Sequence, residues 1–385
     1  MANVFWYCEK WQPGGIQRVQ VNLLPYFDPA EIQFDLAFSE DDTALFDEKI
    51  RAAGARKLLT LNKRYHSPGR RTLANFLALR RILRDGHYDA VHFNACHGVE
   101  MIYLLWAWAY RVPVRIVHAR NNNIGAGGKG RPIKVLAHQI CKRLFDWMAT
   151  VRLANSELSA AWLFRKSDIE KNRVHVLKNG IDAKAFAFNP AGREQTRKAL
   201  GLENAFVVGH VGHFSYQKNH EFLLSVFAEI ARREPKARLL LIGEGDGKAE
   251  VQEQAQRLNV SDKVVFYGAT ENVPPLLWVM DAFVFPSRFE GCGNALLEAQ
   301  AAGLPCFASK GVIPQDVAVT PLMCWLALSD HPAQWAEAIL ANRGKTPRLA
   351  HDAEIIQAGY DLSAMADSLK QIYLRASGAE IESAL

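Results

Sequence analysis

The stretch DAFVFPSRFEGCGNALLEAQAAGLPCF, residues 281–307, reads as an apolar strand ending at Pro286, a loop carrying Gly291 and Gly293, a helix NALLEAQAA from about Asn294, and a second apolar strand. An unbroken apolar run of this length fits a strand covered on both faces, as in a parallel sheet. Outward from this unit, the same alternation fills the chain. NVFWYC, IQFDLAF, KLLTL, AVHFN, VRIVHA and VHVLKN are the strand candidates of the first half; VVGHVGH, RLLLIG, VVFYG, AFVFP, LPCFAS and CWLAL are those of the second. Amphipathic helical patterns separate them, which predicts a doubly wound parallel α/β architecture occurring twice.

The join falls after VHVLKNGID, where AKAFAFNPAGREQ leads into a helix ending at Gly201 and a new strand spans Phe206 to His213. The expected organisation is a first domain over 1–182, a second domain over 183–360 and a C-terminal helix over 361–378 packing back toward the first domain. Ligands of open parallel sheets sit beyond the carboxyl ends of the strands, so two facing sheets imply an interdomain cleft.

The 385 residues are 49% hydrophobic and 22% charged, ordinary for folded globular material. The N-terminus lacks the pattern of a secretion signal, and the longest apolar run, Val99 to Tyr110, is far short of the ~20 residues that span a bilayer. Six scattered cysteines form neither CxxC pairs nor Cys/His ligand spacings, so a reduced cytoplasmic protein without structural zinc is expected. The charge is uneven. Residues 1–180 hold 27 Lys+Arg against 16 Asp+Glu, whereas residues 181–385 hold 19 against 24. Basic stretches interleaved with Phe76, Leu77, Leu79 and Ile82, and with Leu136, Ile140 and Phe145, suit an anionic membrane surface or a solvated helix face. Neither stretch has the aromatic stacking pattern of nucleic-acid readers, so no nucleic-acid partner is expected.

Three segments carry candidate chemistry. In FEGCGNALLEA, Gly291 and Gly293 allow backbone amides close to a ligand, the helix N-terminus at Asn294 suits a phosphate, and Glu290 and Glu298 can accept hydrogen bonds from sugar or ribose hydroxyls. In VVGHVGHFSYQKNHEFLL, a strand runs into a loop with His213, Ser215 and Lys218; a lysine at a helix entry calls for an anion. In PGGIQRV, Gly14-Gly15 precedes a helix, again a phosphate-loop arrangement, without a complete GxGxxG or GxxxxGK[ST]. A lone glycine pair before a helix is also an ordinary turn, and Glu40-Asp41-Asp42, the nearest approach to a metal-binding DxD, reads as a solvated loop.

Taken together, Gly14-Gly15, His118 in RIVHARNN, Asn179-Gly180-Ile181-Asp182, Lys218 in YQKNH and EGCGNALLEA resemble, in order and over nearly the full length, the retaining GT-B glycosyltransferases of family 4. The resemblance implies two facing Rossmann-like domains. It also implies that Glu298 holds the ribose hydroxyls, Lys218 the donor diphosphate and Glu290 the transferred sugar. Gly14-Gly15 would touch phosphate, His118 a sugar hydroxyl, and the turn at Asn272 and Val273 the base. His213 stands where most relatives have Arg, and neutral imidazole cannot match a bidentate guanidinium at a diphosphate.

The expected activity is metal-independent, retaining transfer of a hexose or N-acetylhexosamine from a nucleotide-diphosphate sugar, UDP-linked by family default, to a glycan or lipid-linked acceptor in surface-polysaccharide synthesis. His118 and Glu290 would be the catalytic pair, with no cofactor and no metal. Such an enzyme would work in the cytoplasm, peripheral to the inner leaflet. The alternatives are a sugar-nucleotide epimerase or hydrolase of the same fold, and a non-catalytic binding protein.

Overall fold

A computed structural model describes residues 1–63, 65, 67–124, 131–345 and 347–374. The chain divides into two compact units. One comprises Met1–Gln12, Ile16–Gly180 and the chain from Leu362 onward; the other comprises Pro13–Gly15 and Ile181–Asp361.

The first unit holds a seven-stranded parallel sheet in the order Arg56–Leu59, Ile32–Phe38, Ala2–Tyr7, Ala90–Ala95, Val114–Ala119, Val151–Ala154, His175–Val176. Alternate side chains of one strand feed two separate cores: Val4 and Trp6 join Ile32, Phe34 and Leu36, while Phe5 and Tyr7 join Val91, Phe93 and Val117. That period of two explains why the strands read as unbroken apolar runs, since both faces are covered. The Leu362–Leu374 helix contributes Leu362, Met365, Ala366, Leu369, Ile372 and Tyr373 to the first of these cores, at helical spacing.

The second unit has a six-stranded parallel sheet in the order Val264–Gly268, Ala237–Ile242, Phe206–Val211, Ala282–Phe285, Cys306–Ser309, Met323–Leu326. It divides its side chains in the same way, Val207, Leu240 and Phe283 to one face and Phe206, Val208 and Leu239 to the other. The Pro190–Leu200 helix leads in. Asn189 caps it by accepting from the Gly192 amide at 2.9 Å, and Gly201 ends it at φ 66°.

Three expectations need correction. The Phe206 strand stops at Val211, because Gly212 already turns toward its Ile242 carbonyl partner. VHVLKN supplies only the two-residue strand His175–Val176, whereas Val151–Ala154, masked in the sequence by Arg152, is a strand of the main sheet. Glu40–Asp41 is not a solvated loop: it pairs with Lys10–Trp11 in a small parallel sheet, and buried Glu40 is held by Lys10 at 3.2 Å and Arg71 at 3.1 Å. Residues 375–378 of the expected C-terminal helix lie outside the described residues. Among the described residues, no helix is long and apolar enough to cross a membrane.

Candidate active site

In the second unit the strands Phe206–Val211 and Ala282–Phe285 are neighbours, with Gly209 opposite Phe283, so the loops leaving their carboxyl ends emerge side by side. The two loops are tied together. The Lys218 ammonium donates to Glu290 Oε1 at 2.7 Å, and the Gln217 amide donates to Glu290 Oε2 at 3.1 Å. Arg288 donates from its backbone to the Gln217 carbonyl at 2.8 Å and from its guanidinium to the Tyr216 carbonyl at 2.7 Å. Asn219, in the left-handed region at φ 56°, donates its side-chain amide to the Pro286 carbonyl at 3.1 Å. Lys218 also lies 4.4 Å from the centroid of the Phe285 ring. A cation is thereby held between a buried carboxylate and an aromatic face.

Gly293, at φ 91°, turns the second loop into the Asn294–Ala301 helix. Glu298 is buried on that helix rather than on a solvated surface. Spaced four residues from Asn294, it shares the helix face that begins at the N-terminal amides. Glu290, Gly291 and Gly293 are buried beside it.

His213 is half-buried in the first loop. It is backed by Gly243–Gly247, a segment read from sequence only as the end of a strand. A Cβ on Gly243 would lie 2.1 Å from the Gly212 carbonyl oxygen, and one on Gly245 would lie 2.9 Å from His213 Nε2. The signal was present as GEGDG directly after RLLLI: alternating glycines after a strand mark close backbone approach. Two further histidines went unnoticed. His210 places Nδ1 2.8 Å from the Val284 carbonyl oxygen, and His220 stacks on Phe214 at 4.3 Å between ring centroids. Burial, opposed at His210 by that carbonyl, pushes His210 down to about 3; burial, with smaller contributions from His210, Lys218 and His213, pushes His220 down to about 2. Both are neutral packing rings beneath the loop.

At the turn expected to meet the base, Asn272 is exposed, whereas the Val273 side chain is fully buried in the core. Val273 therefore offers a ligand only its backbone. Gly15 opens the Gly15–Leu23 helix, the helix expected after Gly14-Gly15.

His118 lies in the first unit, fully buried near the end of the strand Val114–Ala119. Its Nδ1 is 3.0 Å from His92 Nε2, and His92 Nδ1 is 2.7 Å from the Tyr373 hydroxyl. Burial holds both histidines well below the ordinary imidazole range, and the Arg120 charge adds to this. Arg120 donates to Asn94 and to Asn179 at 2.7 Å each, which gives the NGID asparagine a structural partner. One group among the described residues could hold a metal: Glu9, His97 and Glu100, with ligand atoms within 4.8 Å of one another. Its carboxylates are already engaged, Glu9 by Arg71 at 2.8 Å and Glu100 by the Cys96 and His97 amides at 2.6 and 3.1 Å.

Residues 13–185 match the family description Glycosyltransferase Family 4, and residues 205–342 match Glycosyl transferases group 1. EpsF of Bacillus subtilis (strain 168), named as a glycosyltransferase, is 32% identical over 364 residues, 94% of this chain and 93% of EpsF. The chain belongs to the group 1, family 4 glycosyltransferases. This glycosyltransferase is also 25% identical over 310 residues to the Escherichia coli UDP-Gal:alpha-D-GlcNAc-diphosphoundecaprenol alpha-1,3-galactosyltransferase, across 77% of this chain and 76% of that enzyme. Its fold matches the crystal structure of Anabaena HepE in complex with UDP and glucose, with a TM-score of 0.75 at 19% identity over 96% of this chain and 98% of that one. The fold of the glycosyltransferase is thus GT-B, two parallel-sheet α/β units in one chain.

Proposed function

We propose that this glycosyltransferase moves a hexose or N-acetylhexosamine from a UDP-sugar to a glycan or lipid-linked acceptor, with retention of configuration, in surface-polysaccharide synthesis. The observation that carries the reading is the Lys218–Glu290 pair beside the Asn294–Ala301 helix on which Glu298 is buried. Cleavage of the bond between the anomeric carbon and the diphosphate leaves positive character on the sugar and extra negative charge on the leaving group. In this scheme Lys218, the amides at Asn294 and those of Gly14-Gly15 receive the diphosphate, with His213 beside them. Glu298 holds the ribose hydroxyls, Glu290 and His118 the transferred sugar, and the turn at Asn272 and Val273 the base. These cations and amides do the work that a metal does elsewhere, so the scheme calls for neither metal nor cofactor.

The UDP bound in HepE and the UDP-galactose donor and diphosphoundecaprenol acceptor in the name of the Escherichia coli enzyme support the donor and acceptor classes. The surface of the first unit favours a lipid-linked acceptor. On the Arg131–Phe145 helix, Ile133, Leu136, Ile140 and Leu144 are 73, 61, 47 and 57% exposed along one stripe. By helical spacing Lys134 and Arg143 flank that stripe, and the helix has no acidic residue. The exposed Trp108 and Trp147 rings meet at 5.4 Å near its end. Apolar stripe, flanking cations and tryptophans suit an interfacial helix on an anionic leaflet, which supports reading the enzyme as peripheral to the cytoplasmic face of the membrane.

A screen of nucleotide sugars for nucleoside diphosphate release, with and without lipid-diphosphate-sugar acceptors, tests the reading. Acceptor-dependent release from a UDP-sugar is expected. Release or isomerisation with donor alone would instead indicate a hydrolase or epimerase.

A further inference from the structure

Three buried rings of the first unit form a hydrogen-bonded line that ends in an unsatisfied atom. Tyr373, on the Leu362–Leu374 helix, meets His92 Nδ1 at 2.7 Å; His92 Nε2 meets His118 Nδ1 at 3.0 Å; His118 Nε2 is buried and has no hydrogen-bond partner among the described residues. The two imidazole planes lie within 13° of each other, and Trp6 stacks on His92 within 17°, so packing restrains the rings in this line. All three side chains are excluded from solvent.

Each neutral imidazole carries one ring proton, so the line can run in two directions only. If the Tyr373 hydroxyl donates to His92 Nδ1, His92 carries its proton on Nε2, donates to His118 Nδ1, and leaves His118 as the Nε2–H tautomer. If the line reverses, His92 donates to the Tyr373 oxygen and His118 Nε2 becomes a bare acceptor. The reversed line leaves the Tyr373 proton without an acceptor, because His92 is the single hydrogen-bond partner of that hydroxyl among the described residues. Both directions leave one unmet group at His118, so the buried hydroxyl decides between them.

We propose that Tyr373 and His92 are positioning residues that hold His118 in the Nε2–H tautomer, presenting a fixed N–H donor to a hydroxyl oxygen of the transferred sugar. The sugar contact rests on the reading of the donor site given above; the tautomer does not. The C-terminal helix thereby sets the hydrogen-bonding sense of a residue more than 250 positions away in sequence, through two rings and no charge.

The test is nitrogen NMR of the histidine rings in the ligand-free full-length chain, comparing the parent protein with Tyr373→Phe and reading UDP and UDP-sugar affinities in parallel. The parent should show His118 with a protonated Nε2 and an unprotonated Nδ1. Tyr373→Phe should populate both tautomers and weaken UDP-sugar binding about threefold or more, with UDP binding unchanged. A parent His118 protonated on Nδ1 overturns the proposal whether or not the variant folds. So does a Tyr373→Phe protein whose His118 tautomer is unaltered. A tautomer that shifts as expected without any change in UDP-sugar affinity supports the relay and overturns the sugar contact, which separates the two readings.

Discussion

Lys218 and Glu290 approach to 2.7 Å across two loops that are 72 residues apart in sequence, and the Glu290 carboxylate is buried. The ammonium proposed to receive a diphosphate is already paired with a carboxylate of its own unit. Glu290→Gln removes that competing charge. UDP should then bind more tightly, about fivefold or more, while transfer from the UDP-sugar falls at least about a hundredfold. Calorimetry with UDP and a nucleotide-release assay read the two effects; weaker UDP binding in the variant would show that Glu290 supports the anion site rather than competing with it.

Glu298→Gln exchanges a charged acceptor for an amide at the proposed ribose contact. The loss should be about 1.5–3 kcal/mol, roughly ten- to a hundredfold in donor affinity. Isothermal titration with UDP on a variant of parental circular dichroism checks this, and an unchanged affinity removes Glu298 from the site.

His213→Arg puts a permanently charged guanidinium at the proposed diphosphate contact. Affinity for UDP should rise by about tenfold in calorimetry. An unchanged UDP affinity would make His213 a packing residue against the Gly243–Gly247 segment.

The neutral histidines beneath the donor loops set an acid limit on stability. His210 and His220 titrate at about 3 and about 2 when folded, against 6.5 for an unburied imidazole. A folded pKa below the unfolded one means that the unfolded chain binds more protons. Stability is therefore complete above about 6.5 and falls with acidification, by up to about 1.4 kcal/mol per pH unit for each ring. Urea midpoints at pH 7.5 and 5.5 should differ accordingly, and His220→Phe, which keeps the stack on Phe214, should remove one ring's share of the difference. An acid sensitivity identical in variant and parent would exclude His220 as a contributor.

On the surface of the first unit, Leu136→Glu with Ile140→Glu should abolish co-sedimentation with anionic vesicles while leaving UDP affinity unaltered. Arg81 and Arg84 of the Pro68–Asp85 helix are less suited to the same task, because Asp85 lies 3.7 and 2.8 Å from them. Equal binding of the parent to neutral and anionic vesicles would remove the electrostatic part of the argument.

What the sequence by itself determined was local and periodic. Unbroken apolar strands between amphipathic helices specify covered parallel sheets, and glycines at Gly291 and Gly293 before a helix specify where an anion could sit, because these depend on neighbours within about ten residues. The family pattern gave Lys218, Glu290 and Glu298 their separate roles and brought in His118, Asn272 and Val273. Tertiary structure alone decided what those groups meet. That Lys218 is paired with Glu290, that Glu298 is buried, and that Glu40 belongs to a small sheet all follow from strands brought together from distant parts of the chain. The line from Tyr373 through His92 to His118 is of the same kind: three residues on two strands and a terminal helix share no spacing that periodicity could detect, and only the packing of that helix into the first unit brings their hydrogen-bonding atoms within 3.0 Å.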